Sequence, residues 1–114
     1  MQLQLSGKNL ELTDALKTYV DTKLGGLDRL NEHVTEMRVT LEKIREDHTD
    51  QFKATAQFHV AHEVLYTEEV AADMYAAIDI VKNEMERQLR DYKNKLETKH
   101  RKANAAVRDM KSAV

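Results

Sequence analysis

Seven cationic side chains fall within sixteen residues towards the carboxy-terminal end: Arg87, Arg90, Lys93, Lys95, Lys99, Arg101 and Lys102, opposed only by Asp91 and Glu97. Lysine and arginine at this density suit a phosphate backbone, because each phosphate that a cation neutralises releases a condensed counterion. The stretch just before has the opposite sign, with Asp73, Asp79, Glu84 and Glu86 against Lys82. A net charge of −2 hides this division: from Lys82 onward there are ten Lys/Arg against five Asp/Glu, and over residues 1–81 eight against fifteen. A ligand-free role weighs about equally at this point. Cations near a helix carboxy terminus also complement the macrodipole and keep a surface hydrated.

Other chemistry is thinly represented. His59 and His62 stand three residues apart without a third ligand at a usable spacing, so a metal centre is not expected. Cysteine is absent, which excludes disulfides, thiolate nucleophiles and sulfur-ligated metals. There is no glycine-rich phosphate loop, the carboxylates are scattered, and no serine or threonine has a histidine–acid arrangement beside it. No enzyme, cofactor or small-molecule substrate is expected. The chain has four Tyr, two Phe and no Trp. Tyr19, Phe52, Phe58 and Tyr92 fall at predicted core positions, so recognition of a nucleic acid would rest on phosphate and shape rather than on stacked bases. Tyr66 and Tyr75 remain unassigned.

The elements that must position these residues follow from periodicity. At 114 residues and 41% hydrophobic composition, one core is expected. Gln2–Gly7 alternates Leu3 and Leu5 with polar residues, as a strand does. Thr13 has the character of a helix N-cap, and Leu16, Tyr19, Val20, Leu24, Leu27 and Leu30 follow at helical spacing. Gly25-Gly26 inside that stripe would cost roughly 2 kcal/mol relative to alanine, which predicts a weak or bent point rather than a break. Val34–Lys43 forms a second strand with Met37, Val39 and Leu41 on one face, and Glu46–Asp50 a polar connection. The third strand places Phe52, Ala54, Ala56 and Phe58 together, the alanines leaving room for a closely packed helix. After a turn near Ala61-His62-Glu63 comes a strand over Val64–Val70, whose faces the pattern does not assign.

Asp73 is the next N-cap, and Ile78, Val81, Met85, Leu89, Tyr92 and Leu96 repeat at spacings of three and four. This helix is expected from Met74 to about Arg101, roughly 42 Å long. The strands are eight or nine residues, roughly 28 Å, so the basic end should project past them. The expected fold is α+β, in the order β-α-β-β-β-α: a four-stranded sheet with two helices packed on one face. The first strand–helix–strand unit makes a right-handed parallel crossover, and the remaining strands an antiparallel meander. Residues 1–102 form the domain and 103–114 a flexible tail. No apolar run spans a membrane, and the amino terminus lacks the look of a signal peptide, which points to the cytoplasm.

The stretches Asp73-Met74-Tyr75-Ala76-Ala77-Ile78-Asp79 and Glu86-Arg87-Gln88-Leu89, followed by Lys93, Lys95 and Leu96, add a resemblance. So does Gly7-Lys8-Asn9-Leu10-Glu11-Leu12-Thr13. Together they resemble the family of ribosome hibernation-promoting factor and ribosome-associated inhibitor A, also known as sigma-factor modulation proteins, over about residues 1–100. The resemblance implies a fold similar in outline to double-stranded RNA-binding domains. It also implies binding to the small ribosomal subunit, through its 16S RNA, and to the 70S ribosome. The site lies in the channel used by transfer and messenger RNA, and ribosomes are idled there in stationary phase or stress. The basic positions it carries over are Lys17 and Lys23 on the first helix and Arg87, Lys93 and Lys95 on the second, with Arg29 matching a position basic in some relatives. Relatives are basic where this chain has Gly26, Glu84 and Asp91, and Lys82 and Arg90 are expected to replace part of that charge. Lys99, Arg101 and Lys102 complete the expected RNA-binding set. A monomer is expected, with no room for the second domain of long family members. The alternative is a protein–protein module that pairs through the exposed second helix, with no ribosome involved.

Overall fold

The computed structural model describes the backbone of residues 2–30, 34–61 and 63–112, and the side chains of these apart from 2, 28, 30 and 95–112. Four strands, β1 (Gln2–Lys8), β2 (Glu36–Glu46), β3 (Thr49–His59) and β4 (Val64–Ala71), form one sheet in the order β1-β2-β3-β4. The helix α1 (Asp14–Leu24) links the parallel pair β1 and β2; β2, β3 and β4 run antiparallel, and α2 (Met74–Ser112) closes the chain. The α+β order and the sheet expected from the sequence are therefore present.

Register explains why one face is apolar. Leu3, Met37, Phe58 and Leu65 lie side by side across the sheet, as do Leu5, Val39, Ala56 and Thr67. Strand side chains alternate faces, so these rows and the Leu41–Ala54 pair share the inner side. Met37, Val39, Leu41, Ala54, Ala56 and Phe58 are almost wholly buried. Against them pack Leu16, Val20 and Leu24 of α1, and Met74, Ala77, Ile78, Val81, Met85, Leu89 and Tyr92 of α2. The three-and-four spacing of α2 is thus its core seam, while Leu96 falls among side chains outside those described. The faces of β4, unassigned by pattern, are settled by pairing: Leu65 and Thr67 point inward, and Val64, Tyr66 and Val70 outward.

Both N-caps form. Thr13 Oγ1 accepts from the Leu16 amide at 3.2 Å, and Asp73 Oδ1 from the Tyr75 amide at 3.1 Å. Three expectations need correction. Gly25-Gly26 ends α1 at Leu24 instead of bending it, and a separate 3-10 turn, Leu27–Leu30, returns Leu27 to the core. Gly25 keeps helical angles and donates to the Asp21 carbonyl, but a Cβ there would collide with that same oxygen. The polar connection after β2 is only the two-residue turn Asp47-His48, both at positive φ (50° and 64°), so β2 and β3 reach 11 residues each. Matching twist makes such two-residue turns the favoured hairpin closure, although neither residue is glycine. Finally, α2 runs past Arg101 to Ser112, 39 residues in all. At 1.5 Å per residue that is about 58 Å, against about 36 Å for the longest strands.

Candidate nucleic-acid interface

The flanks of α2 are set by its buried seam, which fixes the helix about its axis. At 100° per residue, Tyr75, Asp79, Lys82, Glu86, Arg90 and Lys93 fall on one side, and Glu84, Arg87, Gln88 and Asp91 on the other. Contacts identify the sides. Tyr19 Oη of α1 donates to Asp79 Oδ1 at 2.6 Å, and the Tyr19 and Tyr75 rings meet edge to face at 4.9 Å. Gln88 Nε2 donates to the Tyr66 carbonyl of β4 at 2.9 Å. The first flank therefore faces α1 and the second faces β4.

Of the seven expected cations whose side chains are described, four already have a carboxylate partner. Lys23 lies 4.0 Å from Asp79 Oδ1 and 5.5 Å from the centre of the Tyr19 ring. Lys82 and Arg90 converge on one carboxylate, Glu86, at 3.5 and 3.0 Å. On the opposite flank Arg87 is clamped by Glu84 at 2.5 Å and Asp91 at 2.7 Å. Its guanidinium, beside Glu84, holds that carboxyl below its ordinary pKa against the opposing effect of burial, and the Arg87 pKa is raised in turn. Lys17, Arg29 and Lys93 are exposed and have no carboxylate partner among the described residues. The side chains of Lys95, Lys99, Arg101 and Lys102 lie outside those described; their backbone continues the helix.

The structure thus brings Lys23, Lys82, Arg90 and Lys93 to the α1 side and separates Arg87 from them. Lys17, two residues before Tyr19 on α1, sits about 160° around that helix from the Tyr19 contact. The sequence reading missed the organising role of Asp79 and Glu86, although the Lys82–Glu86–Arg90 spacing of four was a visible signal. Exposed pairs of this kind exchange partners readily, since each contributes at most a fraction of a kcal/mol to about 1 kcal/mol. The α1-facing flank can therefore turn its cations to phosphates. Among the described residues, no group of three or more His, Cys, Asp or Glu could hold a metal ion, and no helix is long and apolar enough to cross a membrane.

Residues 3–97 match the family described as sigma 54 modulation protein / S30EA ribosomal protein. The chain belongs to this family. It is 40% identical over 94 residues to the ribosome hibernation promotion factor of Deinococcus radiodurans, covering 81% of this chain and 49% of that protein. It is 36% identical over 97 residues to the ribosome hibernation promoting factor of Azotobacter vinelandii, covering 83% of this chain and 85% of that one. The chain spans about half the length of the Deinococcus relative, and a similar share, 55%, of the Lactococcus lactis factor. The fold superposes on the Protein Y N-terminal domain of Thermus thermophilus with a TM-score of 0.68 at 33% identity, covering 81% of this chain and 99% of that domain. A ribosomal subunit interface protein from Coxiella burnetii shares the fold at 0.70, with 20% identity. This is a family of ribosome hibernation factors and not an enzyme family.

Proposed function

We propose that this family member is a cytoplasmic, non-catalytic translation inhibitor that acts as a monomer. It binds the small ribosomal subunit in the channel taken by transfer and messenger RNA and idles ribosomes in stationary phase or stress. The observation that carries the reading is the 36% identity to a hibernation promoting factor over 85% of that protein's length. The charge distribution supports it: Lys23, Lys82, Arg90 and Lys93 share the α1-facing flank of α2, with Lys17 and Arg29 exposed nearby in the chain. Lys95, Lys99, Arg101 and Lys102 extend the cationic series along the same helix. Inhibition is steric, and the hold on 16S RNA is electrostatic, with cations leaving carboxylates for phosphates as the complex forms.

Co-sedimentation with small subunits and 70S ribosomes tests this at two salt concentrations. Near-stoichiometric pelleting at low salt that falls steeply as salt rises is expected. Arg90→Glu combined with Lys93→Glu, both exposed on the α1-facing flank, should lower ribosome occupancy at least tenfold while leaving the circular dichroism spectrum unchanged. Pelleting that ignores salt and both charge reversals would remove this surface from the mechanism.

A further inference from the structure

The flank of α2 that faces β4 carries a different kind of surface. Strand β4 is the edge of the sheet, paired on one side only. Three of the exposed large hydrophobic residues lie on its outward face: Val64 at 50%, Tyr66 at 48% and Val70 at 44% exposure. On the inward side of the same edge stand Glu69 of β4 and the α2 carboxylates Glu84 and Asp91. The nearby cations, Arg87 and Lys53, are each already held between two carboxylates, Arg87 by Glu84 and Asp91 and Lys53 by Glu42 and Glu68. Between strand and helix lies a shallow cleft of about 190 Å³ lined by Glu63, Leu65, Arg87, Gln88, Asp91 and Tyr92. The Tyr92 hydroxyl is buried and has no hydrogen-bond partner among the described residues.

We propose that the β4 edge is a docking site for an extended polypeptide segment of alternating apolar and basic residues, which adds to the sheet as a fifth strand. An edge strand offers unpaired amides and carbonyls to such a segment. Alternation then decides its chemistry. Residues on the outward side of the added strand lie beside Val64, Tyr66 and Val70 and are apolar. Those on the inward side lie towards Glu69, Glu84 and Asp91 and are basic. The acidic flank repels RNA, and a second copy paired edge to edge would bring the same carboxylates against it, so a basic protein segment is the complementary occupant. Gln88 marks the place. Its amide donates to the Tyr66 carbonyl, as an incoming strand N–H would, and so acts as a removable cap on the edge. This surface is independent of the ribosomal RNA reading and lies on the other side of α2 from Lys82 and Lys93.

The test uses the full chain, labelled with 15N, and a blocked peptide of alternating lysine and valine. Binding should move amide resonances of Val64–Ala71 and of Glu84–Asp91 while leaving Lys17–Lys23 in place. Methylating the peptide's alternate backbone nitrogens, or replacing its lysines by glutamates, should weaken binding at least tenfold. Tyr66→Lys with Val70→Lys should do the same, with the amide spectrum reporting that the fold is retained. Gln88→Ala should tighten binding severalfold by freeing the Tyr66 carbonyl. Equal binding of the methylated peptide, or shifts centred on α1, would overturn the proposal. So would perturbation of β4 by a short RNA, or concentration-dependent dimerisation of the chain alone that Tyr66→Lys abolishes.

Discussion

Asp79 has two tasks that its position on α2 imposes. It accepts from the Tyr19 hydroxyl at 2.6 Å and sits 4.0 Å from Lys23, so it ties α1 to α2 outside the core. The hydrogen bond to Asp79, with burial and the neighbouring negative charge, raises the Tyr19 pKa above the usual phenol value of 10.0. A phenol whose folded pKa is raised stabilises the fold below its unfolded pKa, and that contribution fades as pH climbs through the folded one. Tyr19→Phe should therefore lower the urea midpoint by a constant amount up to about pH 9. The gap to the parent should then close above pH 10, as urea titrations at several alkaline values would reveal. Glu84 behaves in the opposite sense. Arg87 depresses its pKa, so its contribution is present above the unfolded carboxyl pKa and disappears as pH falls through the lower, folded value. Glu84→Gln should therefore lower stability by a small, constant amount in the neutral range, and the gap to the parent should close as pH falls below about 4.5, as urea titrations at several acidic values would reveal. Ala54 shows the opposite kind of residue, silent in charge and strict in size. It is fully buried beneath α2, and Ala54→Leu should cost about 1–3 kcal/mol by overpacking, measurable by urea unfolding at pH 7.

Among the elements, those with uninterrupted periodicity were legible from the sequence and those set by backbone geometry were not. The α2 seam of Ile78, Val81, Met85, Leu89 and Tyr92 and the alternation of β2 and β3 could be read directly, because each buries one face. The end of α1 could not, since propensity assigns Gly25-Gly26 a modest cost whether the helix bends or stops. What decides it is the return of Leu27 to the core in a 3-10 turn. The faces of β4 were hidden because outward Val64, Tyr66 and Val70 are as apolar as inward Leu65. The β2–β3 hairpin was legible as part of the meander, but its tightness was not, because Asp47-His48 lacks the glycine that usually announces a two-residue turn. His48 has φ of 64°, a left-handed conformation that costs a residue with a Cβ about 1–2 kcal/mol. His48→Gly should relieve that strain and, after glycine's larger unfolded-state entropy, raise stability by about 0.5 kcal/mol in thermal or urea unfolding.

At the scale of the molecule, charge is sorted around α2 as well as along it. The sequence displayed the longitudinal part, acidic before Glu86 and basic after it. The division around the axis, with Lys82, Arg90 and Lys93 towards α1 and Arg87 towards β4, needed the core to fix the helix orientation. The sharing of Glu86 between Lys82 and Arg90 carries a quantitative expectation. Glu86→Gln leaves both cations without their carboxylate and should increase ribosome or RNA affinity severalfold, with a salt dependence steeper by roughly one to two phosphate contacts. Binding isotherms at three salt concentrations would measure both.

The order in which the sheet and its cover leave the ribosome follows from the same architecture. All four strands precede α2, yet seven buried residues of the core, from Met74 to Tyr92, belong to that last helix. A nascent chain that has emerged only as far as Asp73 has a complete set of strands whose inner face, from Met37 to Phe58, has lost most of its cover. Such a chain is a substrate for chaperones and a hazard for its neighbours. Folding is therefore deferred until α2 has emerged, and stop codons placed between Asp73 and Tyr92 should give insoluble product rather than a smaller domain.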